Sequence, residues 1–297
     1  MNHKFVTKTL AAAIFAGLAL SSVASHAATI STLFNPGLNT IQDQDAERFI
    51  ASDGITVKTS GALVVGDIFE AILRFDSVNA GTIGDTLPAP YQLSGYNQMR
   101  IDNIIDLPDF IVGQDLVRLV FGYNVGGIGG INILPIGAVV EIYERTSAAQ
   151  PSFNLGAAPA TGVANVRGQT LLGTLGFGDL TDFWGATVIN DIGILAGAAP
   201  GSGQAGAGEF GISLLSNPGS LPIMNNGILS PLSGVMHDVV GDVSVFARET
   251  GVNAGWAVSS NVNASFNAVP EPGTIAIMGL GLLGLAGFVR RRGRTSN

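Results

Sequence analysis

The 297-residue chain contains no cysteine. That excludes disulfide staples, thiol catalysis and zinc–thiolate sites. A chain of this length buries an adequate core without them. Histidine is nearly as scarce, with three in all, and His3 and His26 fall within the first 27 residues. Beyond that point His237 stands alone, so a multi-histidine metal site is excluded. Aromatic residues make up 7 % of the chain and charged residues 12 %. Glycine is abundant at 41 residues but follows no Gly-X-Y period, which excludes a collagen-like chain. Apolar, strand-like segments recur throughout and argue against general disorder.

Positive charge is missing from the body. Between residues 28 and 268 there are 8 basic residues against 21 acidic ones, a net −13. Nucleic-acid binding depends on basic groups that neutralise phosphates, so this balance excludes nucleic acid as a partner. It suits solubility by self-repulsion, or attraction of cations.

The remaining basic residues mark the two ends. Lys4 and Lys8 precede an apolar run, Leu10 to Leu20, and Ser25-His26-Ala27 supplies small residues at a cleavage site. Residues 1–27 read as a secretory signal peptide cut between Ala27 and Ala28 by signal peptidase. At the other end, Thr274 to Val289 carries no charge across 16 residues. As a helix this run extends about 24 Å, a little short of a ~30 Å hydrocarbon core. Snorkelling arginines and local thinning make up the difference. The Arg290, Arg291 and Arg292 cluster that follows places the tail on the cytoplasmic side.

Pro270 and Pro272 forbid a helix through "PEP" and hold it extended, as a protease requires. Pro270-Glu271-Pro272, an apolar span and a terminal arginine cluster, in that order, resemble the PEP-CTERM sorting signal, here residues 269–297. The resemblance implies an exported protein of a Gram-negative bacterium, recognised by exosortase, a membrane cysteine protease/transpeptidase. It also implies an inner-membrane-tethered precursor, cut near the motif and released to the cell surface or extracellular matrix. Members of the family are associated with exopolysaccharide, biofilm and flocculation. The resemblance covers under a tenth of the chain and assigns no activity to residues 28–268.

The body reads as mainly β. In "WAVSSNVNASF", Trp256, Val258, Val262, Ala264 and Phe266 share one face, with Ser260 the polar exception. In "FEAILRFD", Phe69, Ala71, Leu73 and Phe75 oppose Glu70, Arg74 and Asp76. "LVRLVFGYN", "AVVEIYE", "EFGISLL" and "DVSVFARE" behave alike, with turn-forming residues between them. "NTIQDQDAERFIAS" is the one stretch with helix signals: Asn39 or Thr40 as cap and acids in the first turn. The expected body is an antiparallel β-sandwich or jelly roll, preferred as one domain, with a split near residue 150 as the alternative. Ser147–Gly162 and Ala196–Gly208 are expected to be long loops.

Chemistry-bearing residues are sparse. Asp43, Asp45 and Glu47 are weak calcium candidates, since calcium takes oxygen ligands, but the rest of an EF-hand loop is missing. Asp102, Asp106 and Asp109 form a second acidic stretch, and Asp179 and Asp182 flank a turn. Trp184, beside Phe183, is the candidate sugar contact. His237 fits a Ser-His-Asp arrangement in composition, yet no Gly-x-Ser-x-Gly elbow is present and a surface or turn position is expected. Two Gly-x-Gly-x-x-Gly matches, at Gly201 and Gly279, lack the flanking strand and helix of a dinucleotide site. The reading is a non-enzymatic surface or matrix protein without a cofactor, with exopolysaccharide as partner. The alternatives are a polysaccharide hydrolase using paired carboxylates, or a carbohydrate-binding module.

Overall fold

The computed structural model describes residues 33–59, 61–79, 81–83, 89–108, 115–123, 134–189, 204–247, 253 and 255–269. Ala27, Ala28 and the sorting segment from Pro270 onward, including Thr274–Val289 and Arg290–Arg292, lie outside these residues. Among the described residues no helix is long and apolar enough to cross a membrane.

The elements in chain order are β1 (Gly37–Ile50), β2 (Val57–Lys58), β3 (Ile68–Val78), β4 (Gly81–Thr82), β5 (Gln92–Asp106), β6 (Leu116–Tyr123), β7 (Ala138–Arg145), α1 (Pro159–Arg167), β8 (Thr170–Gly176), β9 (Phe183–Ile189), β10 (Gln204–Ser216), β11 (Ile228–Leu229), β12 (Met236–His237), β13 (Val239–Ala247) and β14 (Val258–Ala268). Eight strands pair side by side in the order β1-β14-β13-β10-β8-β7-β5-β3, and β3 returns to β1. Every pairing is antiparallel. The result is a closed barrel. A mainly antiparallel β body is as the sequence indicates, but the sandwich or jelly roll is not. A sandwich keeps two sheets with separate edges, whereas here the β3–β5 and β10–β8 ladders join what would be edges and remove them.

The wall forks between β5 and β10. Gln92–Asn97 of β5 pair with β7, and Met99–Asp106 of the same strand pair with β6. On β10, Gly206–Gly211 pair with β9 and Ser213–Ser216 with β8. Since β6 pairs with β9, two short hairpin-like pairs share one gap. Either route around the ring contains eight strands.

β1 corrects the helix expectation. Asn39 does not cap a helix: its side chain exchanges hydrogen bonds with Asn35 and Gly37 and accepts from Asn79 Nδ2 (2.7 Å), which pins the start of the strand. A short isolated helix is marginal in water, and pairing with two neighbouring strands outweighs its local signals. Of the expected loops, Ser147–Gly162 carries the first turn of α1. Gln204–Gly208 belong to β10, and the rest of Ala196–Gly208 lies outside the described residues.

Period-two alternation gives the barrel two cores. Inward side chains such as Phe49, Phe69, Phe121, Val140, Phe210 and Phe266 fill the interior. Outward Ala46, Ile72, Tyr96 and Tyr143 would face water, but the β7–β8 connection covers them with Phe153, Val163 and Val166. α1 starts with Pro159 in its first turn, where a missing N–H does no harm. Gly162 lets it approach closely: a Cβ there would lie 2.9 Å from Ile72 and 3.3 Å from Trp256. Trp256 is fully buried in this outer core, and its indole N–H donates to Ala157 O (3.1 Å). Trp256→Ala should lower unfolding free energy by about 3–5 kcal/mol, read from the urea midpoint at constant m-value.

Candidate functional site

Two places gather polar side chains in otherwise apolar surroundings. The first is the barrel interior. It holds a cavity of about 90 Å³, lined among others by Phe69, Met99, Trp184, Phe210 and Phe266, and by Asp43, Asp45 and Glu47. A volume of about 10–15 Å³ admits one water, so this space is more than a packing defect.

The three acids are successive inward residues of β1, buried to 6 %, 1 % and 3 % exposure. Ser260 of the facing strand is their hub. Its N–H donates to Asp45 Oδ1, and its Oγ lies 2.5 Å from Asp45 and 2.7 Å from Glu47. Val262 N–H donates to Asp43 (2.7 Å). A hydroxyl has one proton, so Ser260 Oγ cannot donate to both carboxyls. One of them must bring its own proton. Burial, reinforced by the charge of Asp45, pushes Glu47 and Asp43 well above the usual carboxylate range. Ser260 Oγ thus bridges Asp45 and Glu47, with its one proton available to either carboxyl. Asn97 also lines the cavity, and its Oδ1 has no hydrogen-bond partner among the described residues.

This arrangement differs from a calcium cage. The acids run along one strand and are occupied by Ser260 and Val262. Among the described residues no group of three or more His, Cys, Asp or Glu side chains is placed to hold a metal ion. Trp184, the expected sugar contact, is 8 % exposed and stacks on Phe210 inside the barrel, with centroids 4.3 Å apart and planes at 18°. It offers no exposed platform. Asp102 and Asp106 sit exposed toward the end of β5, and Asp109 lies outside the described residues.

The second place surrounds His237. It is 1 % exposed, which corrects the surface position expected for it. Nδ1 lies 3.0 Å from Asp182 Oδ1, and Nε2 lies 3.3 Å from Ser233 Oγ. Asp182 Oδ2 accepts from Gly178 N–H (2.6 Å), Asp179 N–H (3.0 Å) and Ser213 Oγ (2.8 Å). Asp238 turns away from the ring and accepts from Leu214 and Asn226 N–H groups. Hydrogen bonds from the Thr181 hydroxyl and N–H hold the neighbouring Asp179 carboxyl below its ordinary value. The sequence gives no local signal for this cluster, because Asp182 and His237 are 55 residues apart.

Beyond the barrel, the sorting signal is tested by comparison. Residues 268–292 match the PEP-CTERM protein-sorting motif. The motif marks an exported, exosortase-targeted protein, made as a membrane-anchored precursor and processed for the cell surface. No curated protein and no solved structure matches the chain.

The interior acids set a pH dependence. A carboxyl whose folded pKa is raised binds its proton more tightly in the folded state. Its contribution is present below the unfolded value, about 4, and is lost as pH rises through the raised folded value. Thermal unfolding should therefore occur at higher temperature near pH 4.5 than near pH 8. The difference between wild type and the Asp43→Asn/Glu47→Gln double variant isolates the effect: the variant should gain relative stability as pH rises.

Proposed function

We propose that this chain is a structural or adhesive component of the cell surface or of an extracellular polysaccharide matrix, delivered through the exosortase route. One observation carries the reading: the sorting match begins at Ala268, the last residue of β14. The barrel is therefore complete at the first residue of the match. Removal of everything from Pro270 onward leaves each ladder of the ring intact. Val269 N–H already donates to Pro222 O (2.9 Å), so the last described residue is fastened to the body.

The two ends of the body also lie together. Gly37 at the start of β1 faces Ala268 at the end of β14. The signal peptide and the C-terminal tether thus attach at one end of the barrel, which suits a precursor held against the inner membrane while the opposite end faces outward. Signal peptidase acts at Ala27/Ala28, exosortase acts near Pro270-Glu271-Pro272, and exopolysaccharide is the partner of the released product. The role needs no catalysis by the barrel interior. The acids of β1 point into a closed ring rather than a cleft that admits a sugar chain, which favours this role over paired-carboxylate hydrolysis.

Intact-mass analysis of the extracellular protein tests the route. In the parent strain it should lack residues 1–27 and the Arg290–Arg292 tail. In an exosortase-deficient strain the tail should persist and the protein remain with the membrane. A full-length C-terminus in the matrix of the parent strain would sink the proposal. A strain lacking the protein should also retain less polysaccharide-bound biomass if the role is structural.

A further inference from the structure

The cluster around His237 goes beyond a structural role. Its parts have a definite protonation. Asp182 is held by three donors on one oxygen, and an ionised carboxylate accepts only. The 3.0 Å contact from its other oxygen therefore requires the proton on His237 Nδ1. A neutral imidazole protonated there has a free lone pair on Nε2. With the ring in that neutral form, Ser233 Oγ, 3.3 Å away, is the donor in the contact. Val235 N–H donates to the same Oγ (3.3 Å), which leaves the hydroxyl proton directed at the ring.

The imidazole is seated with little freedom. The edge of Phe183 meets it at 5.7 Å between centroids and 71°. Gly211 forms its floor, where a Cβ would lie 2.6–2.8 Å from ring atoms. Both His237 and Asp182 side chains are fully shielded from solvent. Ser233, in contrast, is exposed, on a turn closed by Ser230 N–H to Val235 O (2.9 Å) and Gly234 N–H to Ser230 O (3.0 Å). A buried, oriented base thus opens onto one exposed hydroxyl, the order of parts that activates a serine.

We propose that Ser233, His237 and Asp182 form an acyl-transfer site that hydrolyses carboxylic esters. Ser233 Oγ attacks the ester carbonyl carbon while its proton passes to His237 Nε2. The tetrahedral intermediate collapses with cleavage of the carbonyl carbon–alkoxy bond, and Nε2 returns the proton to the departing alcohol. Water, deprotonated by Nε2, then attacks the Ser233 acyl ester, releases the carboxylic acid and restores the serine. Asp182 is a positioning residue that fixes the tautomer and stabilises the imidazolium. Ester is the class favoured because Ser233 is exposed on a turn and an ester has a better leaving group than an amide.

The purified full chain tests this with a fluorophosphonate probe, mapped by peptide mass, alongside turnover of p-nitrophenyl acetate. Ser233 should be labelled at least 100-fold faster than Ser147, another exposed serine. Ser233→Ala should remove both the label and ester turnover while the protein still unfolds in one cooperative transition. His237→Gln should slow labelling about 10²–10⁴-fold, the range of a general base. The comparison with Ser147 in the wild-type protein needs no variant to fold. Labelling of Ser233 at the Ser147 rate, or turnover unchanged in Ser233→Ala, would overturn the proposal. Either result leaves the sorting route untouched, since that is read from the mass of the exported product.

Discussion

The structure depends on the closing of one hydrogen-bonded ring. Once β3 pairs with both β1 and β5, and β10 joins β13 to β8 and β9, the sheet has an inside and an outside. Every second residue is then committed to one or the other. The ladders close the ring without a disulfide, as a cysteine-free chain requires. The fork at β5 and β10 uses long strands to hold two short pairs apiece, so both halves of the sequence contribute to one wall.

The commitment of alternate residues explains where the polar groups went. On β1 the inward positions read Ile41, Asp43, Asp45, Glu47, Phe49: apolar at both ends, acidic in the middle. Ions alone in such a place are strongly unfavourable; burial pushes the Asp43 and Glu47 carboxyls toward the neutral form, while Ser260 bridges Asp45 and Glu47 and the Val262 N–H donates to Asp43. The outer face follows the same rule. Glu70, buried beneath the β7–β8 crossover, is met by Arg48 at 2.5 Å and by Tyr96 Oη at 2.9 Å.

Much of this was legible as strands and little as a barrel. The inward faces of β3 and β14 follow from alternation, and Ser260, the one polar residue on an apolar face, was the visible trace of the interior cluster. β1 misled because acids at alternate positions near a capping residue also describe a helix N-terminus. The difference lies in its two partner strands, one from the far end of the chain. Closure itself leaves no local signature, since strand pairing is long-range. The His237 cluster was hidden for the same reason. Its serine is four residues away, but its carboxylate comes from the turn before β9, and the Gly211 beneath the ring resembled any other glycine in a strand.

The sorting signal and the fold constrain each other. A C-terminal segment meant to be removed must carry none of the body's stability, or processing would unfold the product. β14 meets that condition by ending at Ala268 while still paired along β1 and β13, with Phe266 in the core. Pro270-Glu271-Pro272 follows β14 within two residues in the sequence. Because Gly37 is the partner of Ala268, the first residue of β1 and the last of β14 lie at the same end of the barrel. His237 lies on a short ribbon outside that ring, joined to it through β10 and β13, so an activity there would pass unchanged from precursor to product.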